Sequence, residues 1–128
     1  MFVPIKRDTG AMLPWEYLGA AEGTYQAGQM LTVKDGKLAA LEAPGTTTPP
    51  YLCMADVKAA AGQVIPVTRV EGDCIYETQL KALYASAKAG VKMQVDQDGL
   101  TASEGEGTFE LVEVSGTQAG DTVRGRFV

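Results

Sequence analysis

The fold is decided by a unit that reads AGQMLTV at residues 27–33 and continues as KDGKL at residues 34–38. Gly28 can reach a positive φ at little cost, so the chain can turn sharply before it enters a run of strand-forming residues. The Asp-Gly pair of the second segment lies between two such runs, where it is a strong hairpin signal. These residues therefore predict a turn, a strand and a hairpin.

The same pattern returns three times further along the chain. The later copies read AGQVIPV at residues 61–67, AGVKMQV at residues 89–95 and, more loosely, AGDTVRG at residues 119–125. The copy at 89–95, like the first, is followed by an Asp-Gly pair, Asp98-Gly99, and we interpret it as a second hairpin. Because the repeat is short and degenerate, it indicates two similar β units and not a solenoid.

The second half of the chain shows strand faces directly. Apolar and polar residues alternate over residues 91–96, which predicts one buried and one solvent-facing side. Phe109 and Leu111 share a face, whereas Val112 and Val114 would lie on the other. A bulge near Leu111 would explain that shift, as would a strand buried on both faces.

Helical signals are weak. Leu80 and Leu83 open a helical spacing over residues 79–88, and residues 56–61 are Ala-rich but barely one turn long. Residues 43–50 contain Gly, Pro and three consecutive Thr, which predicts an exposed, mobile loop. The predicted fold class is all-β: a small β-barrel or β-roll of short antiparallel strands, with an extended N-terminal arm and at most one short helix.

Residues 1–23 carry much apolar surface on a stretch that Pro and Gly interrupt. Such a segment must dock somewhere, on its own domain or on a partner. We therefore predict an extended N-terminal arm at residues 1–23 and a single β domain at residues 24–128. Trp15 and Tyr17 form the only close aromatic pair in the sequence. We favour them as docking anchors over a platform that stacks on a sugar or a base.

Composition excludes several classes of protein. The chain has 128 residues, enough for one domain, with a net charge of −5 and no basic cluster, so we predict no nucleic-acid partner. It has no apolar run near membrane-spanning length and no secretory signal, so we predict no membrane partner. Cys53 and Cys74 have no metal-binding spacing. We expect them to be free and buried, with a disulfide between them as the less favoured alternative.

Candidate chemistry is sparse. The chain has no His, which excludes a Ser-His-Asp site and removes the commonest general base. Residues 96–99 resemble the start of a calcium loop, but the twelfth position is Gly107, and a polar hairpin turn fits better. The acidic residues at 103–107 fit a solvated turn better than a cation site. We therefore predict a protein without catalytic residues, cofactor or metal.

The second half of the chain resembles a family of viral proteins. The motifs that carry the resemblance are IYET at 75–78, AG at 89–90, DGL at 98–100, GTFELV at 107–112, AGDTV at 119–123 and RFV at 126–128. Together they resemble the capsid decoration, or head cement, proteins of tailed bacteriophages. The closing GDTV and RFV motifs are the most telling, and the resemblance covers about residues 60–128.

The resemblance implies a virion protein on the outer capsid surface, made in the cytoplasm of a bacterial host. It would bridge subunits of the major capsid protein, stabilise the shell and associate with itself as a trimer or dimer. The N-terminal arm would bind the capsid, and the predicted contact residues are Phe2, Val3, Pro4, Ile5, Trp15 and Tyr17. The alternatives are a phage tail or baseplate β module and a glycan- or peptide-binding β domain.

Overall fold

The computed structural model describes all 128 residues and is all-β, with thirteen strands and no helix. The predicted all-β fold class is therefore confirmed. The strands are β1 Val3–Arg7, β2 Trp15–Gly19, β3 Gly23–Tyr25, β4 Met30–Lys34, β5 Lys37–Ala40, β6 Tyr51–Cys53, β7 Val57–Ala59, β8 Val64–Arg69, β9 Cys74–Leu80, β10 Lys92–Val95, β11 Thr101–Ser103, β12 Phe109–Val114 and β13 Thr122–Phe127.

Strands β9 to β13 close into a small barrel, which we call the second unit (residues 74–128). The order around the barrel is β9-β13-β12-β10-β11, and β11 returns to β9 in parallel through Thr101↔Gln79 and Ala102↔Leu80. Every other pairing in the barrel is antiparallel. An open five-stranded sheet would expose two unpaired edge strands. Closure into a barrel pairs these two strands with each other.

Strands β2, β4, β5, β6 and β8 repeat that topology in a first unit (residues 15–69). Its order is β2-β8-β6-β4-β5, and β5 approaches β2 through the parallel bridge Ala20↔Leu38. The registers also correspond. Each of four cross-strand pairs in the first unit has a counterpart in the second. Leu18↔Ile65 corresponds to Thr78↔Val123, and Cys53↔Val67 corresponds to Leu111↔Gly125. Leu31↔Tyr51 corresponds to Met93↔Phe109, and Val33↔Leu38 corresponds to Val95↔Ala102. The chain is thus an internal duplication, which confirms the two similar β units predicted from the Ala-Gly repeat.

The four Ala-Gly turns are the same structural device. Gly28, Gly62, Gly90 and Gly120 have φ values of 84°, 80°, 92° and 86°. In each turn the residue after the glycine donates its N–H to the carbonyl three residues earlier, as in a type II turn. Each glycine N–H in turn donates to another strand or its end, at Cys53, Ala20, Leu111 and Leu80 respectively. The turns therefore fix where strands β4, β8, β10 and β13 begin.

Both predicted hairpins are present. Asp35 and Gly36 have φ values of 52° and 76° and connect Lys34 to Lys37, which is the two-residue type I′ geometry. The second hairpin has a longer loop, because β10 ends at Val95 and β11 begins at Thr101. Of the two explanations for the change of face after Leu111, the structure shows the bulge, as a register shift between Leu111 and Glu113.

Two segments with weak or irregular sequence patterns make long-range contacts. Residues 79–88 form no helix: Leu80 ends β9, and its N–H donates to the Asp121 carbonyl instead of to a helical neighbour. Residues 43–50 form a loop, as predicted, and most of them are exposed. The backbone at Gly45 bridges Val95, and the Thr48 and Thr108 hydroxyls lie 2.6 Å apart, which docks this loop on the second unit.

Residues 1–23 do not form the predicted extended arm, because this segment is part of the folded domain. Residues 3–7 form β1, which pairs antiparallel with β9 through Val3↔Glu77 and Arg7↔Cys74. Phe2 is 1% exposed and packs edge-on against Phe109, with ring centroids 5.6 Å apart. Burying a whole aromatic side chain contributes roughly 1.5 to 3 kcal/mol, which adds to the backbone pairing with β9 in holding the segment on its own fold.

The two units share a core. Met30 and Leu52 of the first unit are fully buried in the same cluster as Phe2 and the barrel residues. The Met30 N–H also donates to the Gly99 carbonyl at 2.7 Å. A second cluster, which contains Leu31, Leu38 and Ile65 among others, fills the interior of the first unit. The sheet of the first unit is consequently covered on both faces over part of its area.

Candidate partner-binding site

The predicted contact residues have different fates in the structure. Phe2 is in the core and is not available to a partner. Val3 and Pro4 are half-buried in β1. Exposed fractions are 44% for Ile5, 51% for Trp15 and 63% for Tyr17. The structure thus brings Val3, Pro4, Ile5 and Trp15 to one open cleft, while Tyr17 lies two residues further along β2.

That cleft has a volume of about 710 Å³ and is mostly apolar. It is formed by strand β1, by the connection at residues 8–13 and by the side chains of Trp15, Met54 and Cys74. The chain runs out along β1, turns back through a positive-φ Gly10 and enters β2 at Trp15. The cleft therefore depends on the position of β1 against β9, which the sequence alone did not predict.

Exposed apolar side chains extend from the cleft along β2 and β8. Met12, at 90% exposed, lies in the cleft wall. Directly opposite residues in an antiparallel pair share a face, so Tyr17 lies beside Pro66, and Val64, 59% exposed, lies one pair further. A contiguous apolar surface of this kind is typical of a protein interaction site. We call Met12, Trp15, Tyr17, Pro66 and Val64 the apolar patch.

The patch is exposed because the sheet of the first unit extends beyond the barrel that covers it. Trp15, Thr68, Leu52 and Met30 form one cross-strand row on the same face. Thr68, Leu52 and Met30 are fully buried, whereas Trp15, at the end of the row, is half exposed. Its position at the end of a covered row makes Trp15 a boundary between the core and the solvent.

The charged groups around the cleft are mostly paired with each other. Arg7 Nε donates to Asp73 Oδ2 at 3.0 Å, and Arg126 lies 3.4 Å from Asp8. Lys6 in the cleft wall makes no ion pair, and neither does Glu16, which lies on the face of β2 opposite Trp15 and Tyr17. These two charges are therefore free to meet charges on a partner.

The cleft also contains a cysteine. Burial raises the pKa of the Cys74 thiol, and its hydrogen bond with Tyr76 only partly offsets that effect. The thiol is thus protonated at neutral pH and behaves as an apolar wall of the cleft. Both cysteines are free and buried, as predicted.

Sequence reasoning missed Met12, Val64 and Pro66 as members of the site. Residues 64–67 form a continuous apolar run, VIPV, which indicates a strand but does not distinguish its exposed face from its buried one. Nothing local showed that β8 pairs with β2, a partner about fifty residues earlier in the chain.

Comparisons with protein-family models, with curated proteins and with solved structures found no match. No helix long and apolar enough to cross a bilayer is present. No group of three or more His, Cys, Asp or Glu side chains lies close enough together to hold a metal ion.

Proposed function

We propose that this protein is a non-enzymatic decoration protein of a bacteriophage capsid, which attaches to the major capsid protein through the cleft and the apolar patch. The observation that carries the proposal is the exposed apolar surface around a cleft of about 710 Å³. The resemblance of residues 60–128 to capsid decoration proteins supports the choice of partner. The partner surface would be apolar where it meets Met12 and Trp15.

Surface burial can supply useful binding energy here. Met12 is 90% exposed and Trp15 is 51% exposed, so a partner can remove most of the first and half of the second from water. Each would contribute about 1.5 to 3 kcal/mol at 25 cal/mol per Å² of apolar area. One such contact is weak, because association itself is costly. A protein that bridges neighbouring subunits gains from contacting several at once.

The position of β1 changes how attachment would work. An arm that orders only on the capsid would lose chain entropy at that moment. Here β1 is already paired with β9, so the cleft is preformed and binding would order little of the chain. Preorganisation of this kind favours affinity.

The test compares variants in a binding assay with heads that lack this protein. Met12→Glu combined with Trp15→Ser places a charge and a small polar group in the patch, and co-sedimentation with heads should fall sharply. The matched control is Leu83→Glu, since Leu83 is 60% exposed but lies in the connection between β9 and β10, outside the cleft. Urea unfolding midpoints establish that each variant is folded.

Two outcomes would contradict the proposal, and two others would favour one of its alternatives. Wild-type protein that does not saturate such heads excludes a decoration function, and binding to isolated tails or baseplates would favour the tail-module alternative. A double variant that binds heads as well as Leu83→Glu does would exclude the patch as the attachment surface. A shift of Trp15 fluorescence on adding sugars would favour the glycan-binding alternative, because aromatic rings can stack on a sugar face.

A further inference from the structure

The internal duplication gives each strand edge in one unit a counterpart in the other. In the second unit β1 pairs with the edge of the N-terminal part of β9, residues 74–77. The register equates Tyr17↔Pro66 with Glu77↔Arg124, and therefore β2 with β9. The counterpart of the covered edge is thus the edge of β2 at residues 14–17. No strand of the chain covers it, since β2 pairs only with β8 and meets β5 beyond its end, at Ala20.

The free edge of β2 has backbone groups that point outward. Ala20 donates its N–H toward the β8 side, to the Gln63 carbonyl at 2.9 Å. Hydrogen-bonding direction alternates along an antiparallel strand, so Leu18 and Glu16 bond to β8 as well. Trp15 and Tyr17 consequently direct their N–H and C=O groups away from β8, and neither residue takes part in any backbone hydrogen bond outside the ladders. Pro66, opposite Tyr17, has no N–H with which to make a bond across this pair.

The outer edge of β1 and the edge of β2 differ in how well they are protected against pairing with another strand. The outer edge of β1 carries Pro4, a register shift between Pro4 and Lys6, and the charged Lys6 itself. These are the devices by which natural edge strands avoid pairing with other chains. The only proline near the edge of β2, Pro14, precedes the strand. No bulge interrupts Trp15–Gly19, and the strand presents two large aromatic side chains. The edge of β2 is therefore open to pairing with a strand of another chain, whereas the edge of β1 is protected against such pairing.

We propose that the edge of β2 accepts an extended strand from the major capsid protein, antiparallel to β2, in the place that β1 occupies on β9. The identity of the partner rests on the proposed function, and the mode of binding rests on the duplication. The incoming strand offers apolar side chains beside Tyr17 and Trp15, on the face of the apolar patch. It offers a basic side chain opposite Glu16, which has no ion-pair partner in the chain. Strand addition of this kind gains affinity from main-chain hydrogen bonds and selectivity from alternate side chains.

The test separates the backbone contribution from that of the ring. Tyr17→Pro removes the outward N–H, and proline is tolerated at an edge position whose N–H faces solvent. Tyr17→Val removes the ring but keeps the N–H and a good strand former, so it is the matched control. We expect Tyr17→Pro to bind heads that lack this protein about tenfold or more weakly than Tyr17→Val does. Equal affinities of the two variants would overturn strand addition while leaving the attachment of wild-type protein, and hence the proposed function, intact.

Amide hydrogen exchange tests the same proposal on unaltered protein. In the free protein the N–H groups of Trp15 and Tyr17 should exchange fast and those of Glu16 and Leu18 slowly. On heads, exchange at Trp15 and Tyr17 should slow at least tenfold, and unchanged exchange would overturn the proposal. Slowed exchange in concentrated free protein, together with a dimer in sedimentation, would also overturn it by assigning the edge to a second copy of this chain.

Discussion

Replacing Phe2 with Ala tests whether the first residues belong to the folded domain or to an interface. Phe2 is 1% exposed and contacts two rings, with centroids 5.6 Å from Phe109 and 6.3 Å from Phe127. Phe→Ala substitutions in a core cost about 3 to 5 kcal/mol, which includes the cavity left behind. The edge-on contact with Phe109 accounts for roughly 0.5 to 1.5 kcal/mol of aromatic pairing beyond buried area.

That loss is large against the whole stability of a domain, about 5 to 15 kcal/mol. With a urea dependence of roughly 2 kcal/mol per molar, Phe2→Ala should lower the unfolding midpoint by about 2 M urea. The assay is equilibrium urea denaturation followed by Trp15 fluorescence. The control is Met12→Ala, since Met12 is 90% exposed and its replacement should change stability by less than about 0.5 kcal/mol.

The result that would refute the reasoning is a Phe2→Ala variant within about 0.5 kcal/mol of wild type. Such a value would mean that residues 1–7 do not contribute to the core and that β1 is not held on β9 in the free protein. The cleft would then not be preformed, and the segment would behave as the loose arm that its sequence suggested.

Further predictions concern the repeated turns and the second hairpin. Gly62→Ala should cost about 1 kcal/mol in urea denaturation, from its φ of +80° alone, because nothing lies within 4 Å of an added Cβ. Gly28→Ala should cost at least about 2 kcal/mol, because an added Cβ would lie 2.5 Å from Met1 Cβ and 3.0 Å from the Phe2 carbonyl oxygen. Equal costs would show that the N-terminus does not pack on this turn. Asp98→Asn should cost about 1 kcal/mol at neutral pH by weakening charge-assisted hydrogen bonds. Burial opposes ionisation of Asp98, but N–H and hydroxyl donors and a nearby lysine outweigh it and lower its pKa. Its stabilisation is therefore present above the unfolded pKa and disappears as the pH falls through the folded one, so the stability difference between wild type and Asp98→Asn should close below about pH 4.

The candidate site was only partly visible in the sequence. The sequence singled out Trp15 and Tyr17 as large aromatics on a segment with little regular pattern, and both are exposed on β2. Phe2 looked the same by composition, yet it fills the core. An apolar side chain can leave water by packing on its own domain or on a partner, and both gain the same area-dependent energy. Only the placement of β1 on β9 distinguishes the two.

The helical spacing at residues 79–88 also shows that a local sequence pattern does not predict long-range backbone pairing. The spacing of its apolar residues satisfies a helix, but the Leu80 N–H is bonded to Asp121, and the Lys81 N–H to Ala102, both by closure of the barrel. A backbone donor has one bond to give, so long-range pairing excludes the local helix.

By itself the sequence determined the features that depend on neighbouring residues. The four Ala-Gly turns, the type I′ hairpin at Asp35-Gly36 and the duplication into two β units follow from glycine's access to positive φ and from short-range alternation. The tertiary structure decided which edges meet: the parallel closure of β11 on β9, the capture of β1 and the open edge of β2. Those choices depend on surfaces brought together from distant parts of the chain, whose energies no short stretch of sequence contains.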